Sequence, residues 1–163
     1  MNKNKPIQAI VVFNEKKIKG VVYFTEDLIN NDVLIELNIS GLNKNGVHGF
    51  HIHEAGDLTD HCESLCAHFN PYKKTHGCPG MKNRHVGDLG NIFADSNGNA
   101  KYVFKDDQIK LRGSKCNILG RGLIIHADKD DCGKGMNEAS LINGNAGKRI
   151  ACGIVGYAKS NFS

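Results

Sequence analysis

HGFHIHEAGD, residues 48–57, puts three histidines within six positions and follows them with Glu54, Gly56 and Asp57. The stretch from Val47 to His53 reads as a β-strand, in which alternate side chains share a face. His51 and His53 therefore point the same way. His48 has the opposite parity and turns away, unless Gly49 hosts a bulge that shifts the count. Two imidazoles on one stiff strand make half of a preorganised site for a metal that favours nitrogen. His48 is left to packing or a local hydrogen bond. Taken alone, the His51–His53 pair reads equally well as two solvated histidines, so its meaning depends on the rest of the chain.

Working outward, short β-branched runs recur at 7–13, 18–25, 33–39, 90–94, 100–104, 122–126 and 150–158, with turn signals such as Asn30-Asn31-Asp32 and Asp95-Ser96-Asn97-Gly98 between them. No window keeps a helical period over three turns. Many short strands with 19 glycines point to an all-β antiparallel sandwich or barrel. Residues 54–88 and 127–147 break the rhythm. Both are too long for ordinary connections, and both carry histidine, aspartate, cysteine and glycine in specific order. The expectation is a rigid β scaffold bearing two working loops, one domain over 1–163, with no linker or internal repeat.

At 163 residues the chain can bury a sizeable core, and its 40% hydrophobic and 23% charged content is that of a globular protein. No apolar run is long enough to span a bilayer. MNKNKPIQAIVVF has too short an apolar region for a signal peptide, so a cytoplasmic location is expected. The net charge of +4 comes from scattered lysines without interleaved aromatics, which argues against nucleic-acid binding. Positive charge at a cleft would suit a small anionic substrate. The cysteines, Cys62, Cys66, Cys78, Cys116, Cys132 and Cys152, form no Cys-x-x-Cys pair.

Downstream, AHFNPYKKTHGCPGMKNRHVGD carries His68, His76, His85 and Asp88. Three imidazoles and a carboxylate match the four-coordinate needs of zinc, and such a closed set would be structural. His126 ends the run GLIIH. With His51 and His53 it offers three nitrogens, and one more imidazole would complete a set suited to copper. His68 is the candidate, because imidazole can bind a metal through each nitrogen once its proton is lost.

These residues resemble the copper/zinc superoxide dismutase family, in its eukaryotic cytosolic form. GFHIHEAGD is similar to one family signature and GNAGKRIACGIVG (144–156) to another, while HFNP, HVGDLGN and DDCGKG follow in family order. The resemblance runs from about residue 7 to 158. It implies an eight-stranded Greek-key barrel or sandwich of immunoglobulin-like kind. It implies copper on His51, His53, His68 and His126, zinc on His68, His76, His85 and Asp88, one ion of each per subunit, and His68 as the bridge. Asp130 would tie a copper histidine to a zinc histidine. Arg149 would attract superoxide to the open copper position. A Cys62–Cys152 disulfide, a homodimer meeting near Ile118-Leu119-Gly120 and Ile154, and loading by a copper chaperone are also implied.

The chain departs from the family at several points. Asn137-Glu138-Ala139-Ser140 stands where a Glu-Glu pair is common, and Asn143 where a threonine usually lines the channel. Lys134 and Lys148 make the mouth positive, so a salt-sensitive rate is expected. Cys66, Cys78 and Cys132 are read as free thiols, with a Cys66–Cys78 bond left open; Cys116 is unassigned. Three rival readings compete: a noncatalytic copper-chaperone-like domain, a zinc-buffering domain and a zinc hydrolase. The chaperone-like domain expects missing copper ligands, the zinc buffer has no use for His126 or Arg149, and the hydrolase needs an open zinc position.

Overall fold

A computed structural model describes residues 4–163; residues 1–3, the start of the stretch read for a leader, lie outside it. The chain forms strands β1 (Gln8–Asn14), β2 (Lys19–Asp27), β3 (Asp32–Ser40), β4 (Val47–His53), β5 (Asp88–Phe93), β6 (Val103–Asp106), β7 (Gly122–His126), β8 (Arg149–Ile154) and β9 (Gly156–Tyr157). One antiparallel sheet runs β6-β3-β2-β1-β9 and the other β5-β4-β7-β8. The chain leaves the first sheet after β3, builds β4 and β5, returns as β6 beside β3, and crosses again to β7 and β8. That is a Greek-key sandwich. Where eight strands are expected, nine form among the described residues. The last run divides at Val155, so that β8 pairs with β7 and β9 with β1. The run expected at 100–104 starts later as strand, and Ala100 makes only an isolated bridge to Ile39.

Alternation explains the core. In β3, Val33, Ile35, Leu37 and Ile39 are buried while the residues between them face solvent. They pack with Phe13, Phe24, Phe50, Ile52, Ile92 and Ile125 between the sheets. β4 differs because both of its faces are covered. Phe50 and Ile52 enter the core, while His51 and His53 face the other way, under the long loops.

Those loops are pinned to the sheet. Phe69 N–H donates to Ile52 O, Ile52 N–H to Gly87 O, and Gly87 N–H to Phe69 O, all at 2.9–3.0 Å. A Cβ on Gly87 would strike the Ile52 carbonyl. Arg84, 1% exposed, pairs with Asp106 at 2.7 Å and donates to the carbonyls of His85 and Val86. In the second loop, a helix α1 (Glu138–Asn143) is capped by Asn137, whose side chain accepts from Ser140 N–H, and ends at Gly144 in the left-handed region. Six residues are too few for periodicity to reveal this helix in the sequence.

Candidate metal centre

β4 and β7 lie side by side, and loop 54–88 returns against the end of β4, where His68 bridges to His53. This brings His51, His53, His68 and His126 together, each buried, with one ring nitrogen apiece inside a 4.8 Å cluster. Their outward nitrogens are occupied. His53 Nδ1 donates to Cys66 O at 2.9 Å, His126 Nδ1 to Gly147 O at 3.1 Å, and His51 Nε2 lies 2.6 Å from Asp130 Oδ2. Their other nitrogens, His51 Nδ1 and Nε2 of His53, His68 and His126, are buried without any hydrogen-bond partner. Burial pushes His51 down to about 3 and His126 to about 4, and holds His53 and His68 below their usual value. Four neutral imidazoles with bare lone pairs aimed at one another fit a metal cation and little else.

A second cluster shares His68. His68, His76, His85 and Asp88 are all buried and also converge within 4.8 Å. Asp88 Oδ1 lies 2.9 Å from His68 Nδ1 and 3.1 Å from Nδ1 of both His76 and His85. Asp88 Oδ2 accepts from the N–H groups of Gly77 and His85. Burial alone would raise the Asp88 carboxyl, but the three imidazoles outweigh it and hold the group well below the usual carboxylate range. Three nitrogens and one carboxylate oxygen with no open side are the donor set of a structural zinc.

Asp130 joins the two clusters, with Oδ2 on His51 and Oδ1 2.8 Å from His76 Nε2. Burial works against its charge, but these two histidines lower its carboxyl to about 2. For His76 burial would lower the value, but the hydrogen bonds to Asp130 and Asp88 raise it to about 9. Gly144 is required here, since a Cβ would collide with Asp130 Oδ1 and His76 Nε2. His48 stays apart. It is buried, and its Nδ1 donates to His126 O at 2.8 Å. The ladder shifts register between Gly49 and His51, and His48, His51 and His53 are all buried.

A cleft of about 210 Å³ opens beside the first cluster, lined by His53, His68, His126, Asn143 and Arg149 together with Ile142 and small residues. Arg149 stands opposite His126 in the β7–β8 ladder. Its guanidinium donates to the carbonyls of Cys62 (2.8 Å) and Cys66 (2.7 Å). The first of these carbonyls belongs to a residue tied by a disulfide, Cys62 to Cys152, Cα–Cα 5.6 Å. Glu63 Oε2, which the sequence gave no reason to single out, lies 3.9 Å from Arg149 Nε. Arg84 was likewise missed: an arginine in KNRHVGD has no burial signal of its own.

Cys78 and Cys132 are not free thiols but form a second disulfide, Cα–Cα 5.0 Å. Cys66 does not pair with Cys78; it and Cys116 keep their thiols. The reason is tertiary. Cys78 follows His76 and Cys132 follows Asp130, each by two residues, and the His76–Asp130 contact brings their turns together. At the expected dimer face Ile118 is fully buried in the core, whereas Leu119 and Ile154 are only partly buried.

Residues 18–155 match the family described as copper/zinc superoxide dismutase. The chain is 59% identical over 162 residues to the Cu-Zn superoxide dismutase of Paramecium bursaria Chlorella virus 1, covering 99% of this chain and 84% of that one. It is 48% identical over 151 residues to the enzyme of Saccharomyces cerevisiae, covering 92% and 97%. The crystal structure of the clock protein EA4 superposes with a TM-score of 0.90 at 42% identity, covering 97% and 99%. With two fused histidine clusters fitted to copper and zinc on a Greek-key sandwich, the chain belongs to the copper/zinc superoxide dismutase family and disproportionates superoxide to oxygen and hydrogen peroxide.

Proposed function

We propose the following division of labour among the residues. His51, His53, His68 and His126 would hold copper, and His68, His76, His85 and Asp88 would hold zinc, with His68 common to both sets. When bound, copper supplies one-electron chemistry, cycling as one superoxide is oxidised and a second reduced, while zinc supplies charge and geometry. Arg149 draws the anion into the cleft and orients it, its guanidinium fixed by the Cys62 and Cys66 carbonyls. His68 Nε2, bare and buried at the cleft, is placed to hold one proton and pass it to the reduced dioxygen, and solvent entering the cleft supplies the second proton that hydrogen peroxide needs. Asp130 orients His51 and His76 through their outward nitrogens.

The observation that carries this reading is His68 itself. Its Nδ1 sits in the Asp88 cluster, and its Nε2 is bare and buried in the other. The test is metal analysis with a superoxide assay on wild type and His126→Ala. The variant should lose copper and activity while keeping zinc; activity persisting without copper would defeat the mechanism. The noncatalytic alternatives fit less well, because a chaperone-like domain expects copper ligands to be missing and a zinc buffer has no use for His126 or Arg149.

We further infer one domain over the whole chain and a homodimer meeting around Leu119, Gly120 and Ile154, whose partial exposure leaves room for a partner. Light scattering that shows a monomer at micromolar concentration would sink the dimer. A cytoplasmic site and loading by a copper chaperone complete the reading. No helix among the described residues is long and apolar enough to cross a membrane. Copper uptake in cells with and without their chaperone tests the loading route.

A further inference from the structure

The Cys78–Cys132 disulfide joins the two working loops at one point. Cys78 lies two residues past His76, and Cys132 two residues past Asp130. Its sulfurs and an Asp130 carboxylate oxygen fall within 4.8 Å of one another. Cys132 N–H donates to Asp130 Oδ1 at 2.7 Å, the same oxygen that meets His76 Nε2. Cys132 holds φ +60°, a conformation that non-glycine side chains rarely adopt, so the turn is fixed by its surroundings. Next to it, Gly133 lies so close to the His76 carbonyl that a Cβ would approach to 2.6 Å. Further along, His76 N–H donates to Leu141 O at 2.8 Å.

We propose that the Cys78–Cys132 disulfide is a clamp on the zinc side of the centre, positioning His76 against Asp130 and slowing the escape of zinc. Three of the four copper-side histidines do not depend on it in the same way. His51, His53 and His126 stand on β4 and β7, which pair with each other and belong to the folded sheet. His76 and His85 stand on loop, and for a loop to release a metal it must first open. The bond between residues 78 and 132 limits that opening at the point where His76 would have to swing away from Asp130. Cys78 and Cys132 touch no metal or substrate; they are positioning residues. The inference rests on the zinc assignment above.

The test starts from the holoenzyme. Wild type and the Cys78→Ser/Cys132→Ser double variant are mixed with excess chelator, and zinc and copper release are followed separately. The expected result is zinc release at least tenfold faster in the variant, with copper release changed less than threefold. Equal acceleration of both metals would mark a general loss of stability, and no acceleration would mark an idle bond; either overturns the proposal. His85→Ala separates the two readings. Zinc fully retained by that variant would overturn the zinc set and the clamp with it. Zinc lost from His85→Ala, with wild-type release from the double variant, would overturn the clamp alone. If the double variant does not fold, wild-type holoenzyme is titrated with a phosphine, which becomes its oxide as each disulfide gains two electrons and two protons. Peptide mapping then assigns each opened bond. Zinc release that follows opening of Cys78–Cys132 supports the clamp, and release that follows only Cys62–Cys152 overturns it.

Discussion

His48 donates from Nδ1 to the main-chain carbonyl of His126, 2.8 Å away and 78 residues along the chain. The histidine nearest the His51–His53 pair in sequence thus fastens the strand end that carries His126, a member of the four-histidine cluster. His48→Ala should cost about 2–4 kcal/mol through a cavity and an unpaired carbonyl. Both metals should stay bound at wild-type stoichiometry. Denaturant melts with metal analysis check this, and loss of copper without loss of stability would make His48 a ligand.

Asp130→Asn keeps the shape but removes the charge shared by His51 and His76. Loss of such an outer partner typically weakens metal affinity about 10–100-fold. Competition with a chelator of known affinity should show this loss for zinc in the variant. Unchanged affinity would mean that packing alone orients the two rings.

Arg149 lines the cleft, and exposed Lys148 adjoins it in sequence, so positive charge is expected at the mouth. kcat/KM for superoxide should fall steadily as ionic strength rises. Glu63→Gln removes the carboxylate 3.9 Å from Arg149 and should raise kcat/KM about twofold at low salt, with the gain vanishing at high salt. Pulse radiolysis across a salt series measures both; a flat profile in wild type would remove the steering argument.

In the metal-free protein, His51 at about 3 and His126 at about 4 lie below the usual 6.5 because they are buried. Below pH 6.5 the unfolded chain binds more protons at these sites, so stability falls as pH drops towards 4. Asp130, held at about 2 against burial by its two histidines, adds a loss as pH falls from 3.8 towards 2. His76 has the opposite sign: raised to about 9, its contribution is complete below 6.5 and lost as pH rises through 9. Calorimetry of the metal-free protein should place maximal Tm near pH 6.5, and a Tm that climbs from pH 6.5 to 4 would contradict these assignments.

Opening Cys62–Cys152, which spans 90 residues, should cost about 4–5 kcal/mol on a chain-entropy basis. It also frees the Cys62 carbonyl that fixes Arg149. Cys62→Ala/Cys152→Ala should therefore lower both Tm and kcat/KM at full copper content. A variant that lost stability alone would detach Arg149 from the disulfide.

The strand alternation in HGFHIHEAGD, the β-branched runs and the glycine-rich turns made the all-β class legible, because a pleated strand with one buried face must repeat every two residues. His51, His53, His68, His76, His85, Asp88 and His126 were readable as chemistry because histidines and a carboxylate in those motifs have few other uses together, whereas Arg149 and Asp130 stood out only through the family resemblance. The division of the last run at Val155, the short helix Glu138–Asn143 and the buried Arg84–Asp106 pair were not legible. A strand can change sheets without changing composition, six residues show no period, and the partners in the ion pair stand 22 positions apart.

The sequence by itself determined which side chains could bind metal, which faces of β4 they occupy and which family they resemble. It left open which cysteines meet, because pairing depends on distances across loops and not on spacing along the chain. Tertiary structure alone decided that Cys78 joins Cys132, that Glu63 stands beside Arg149, and that His68 presents one nitrogen to each cluster. Those outcomes are set where loops 54–88 and 127–147 pack over β4 and β7, bringing together groups that have no local reason to be near one another.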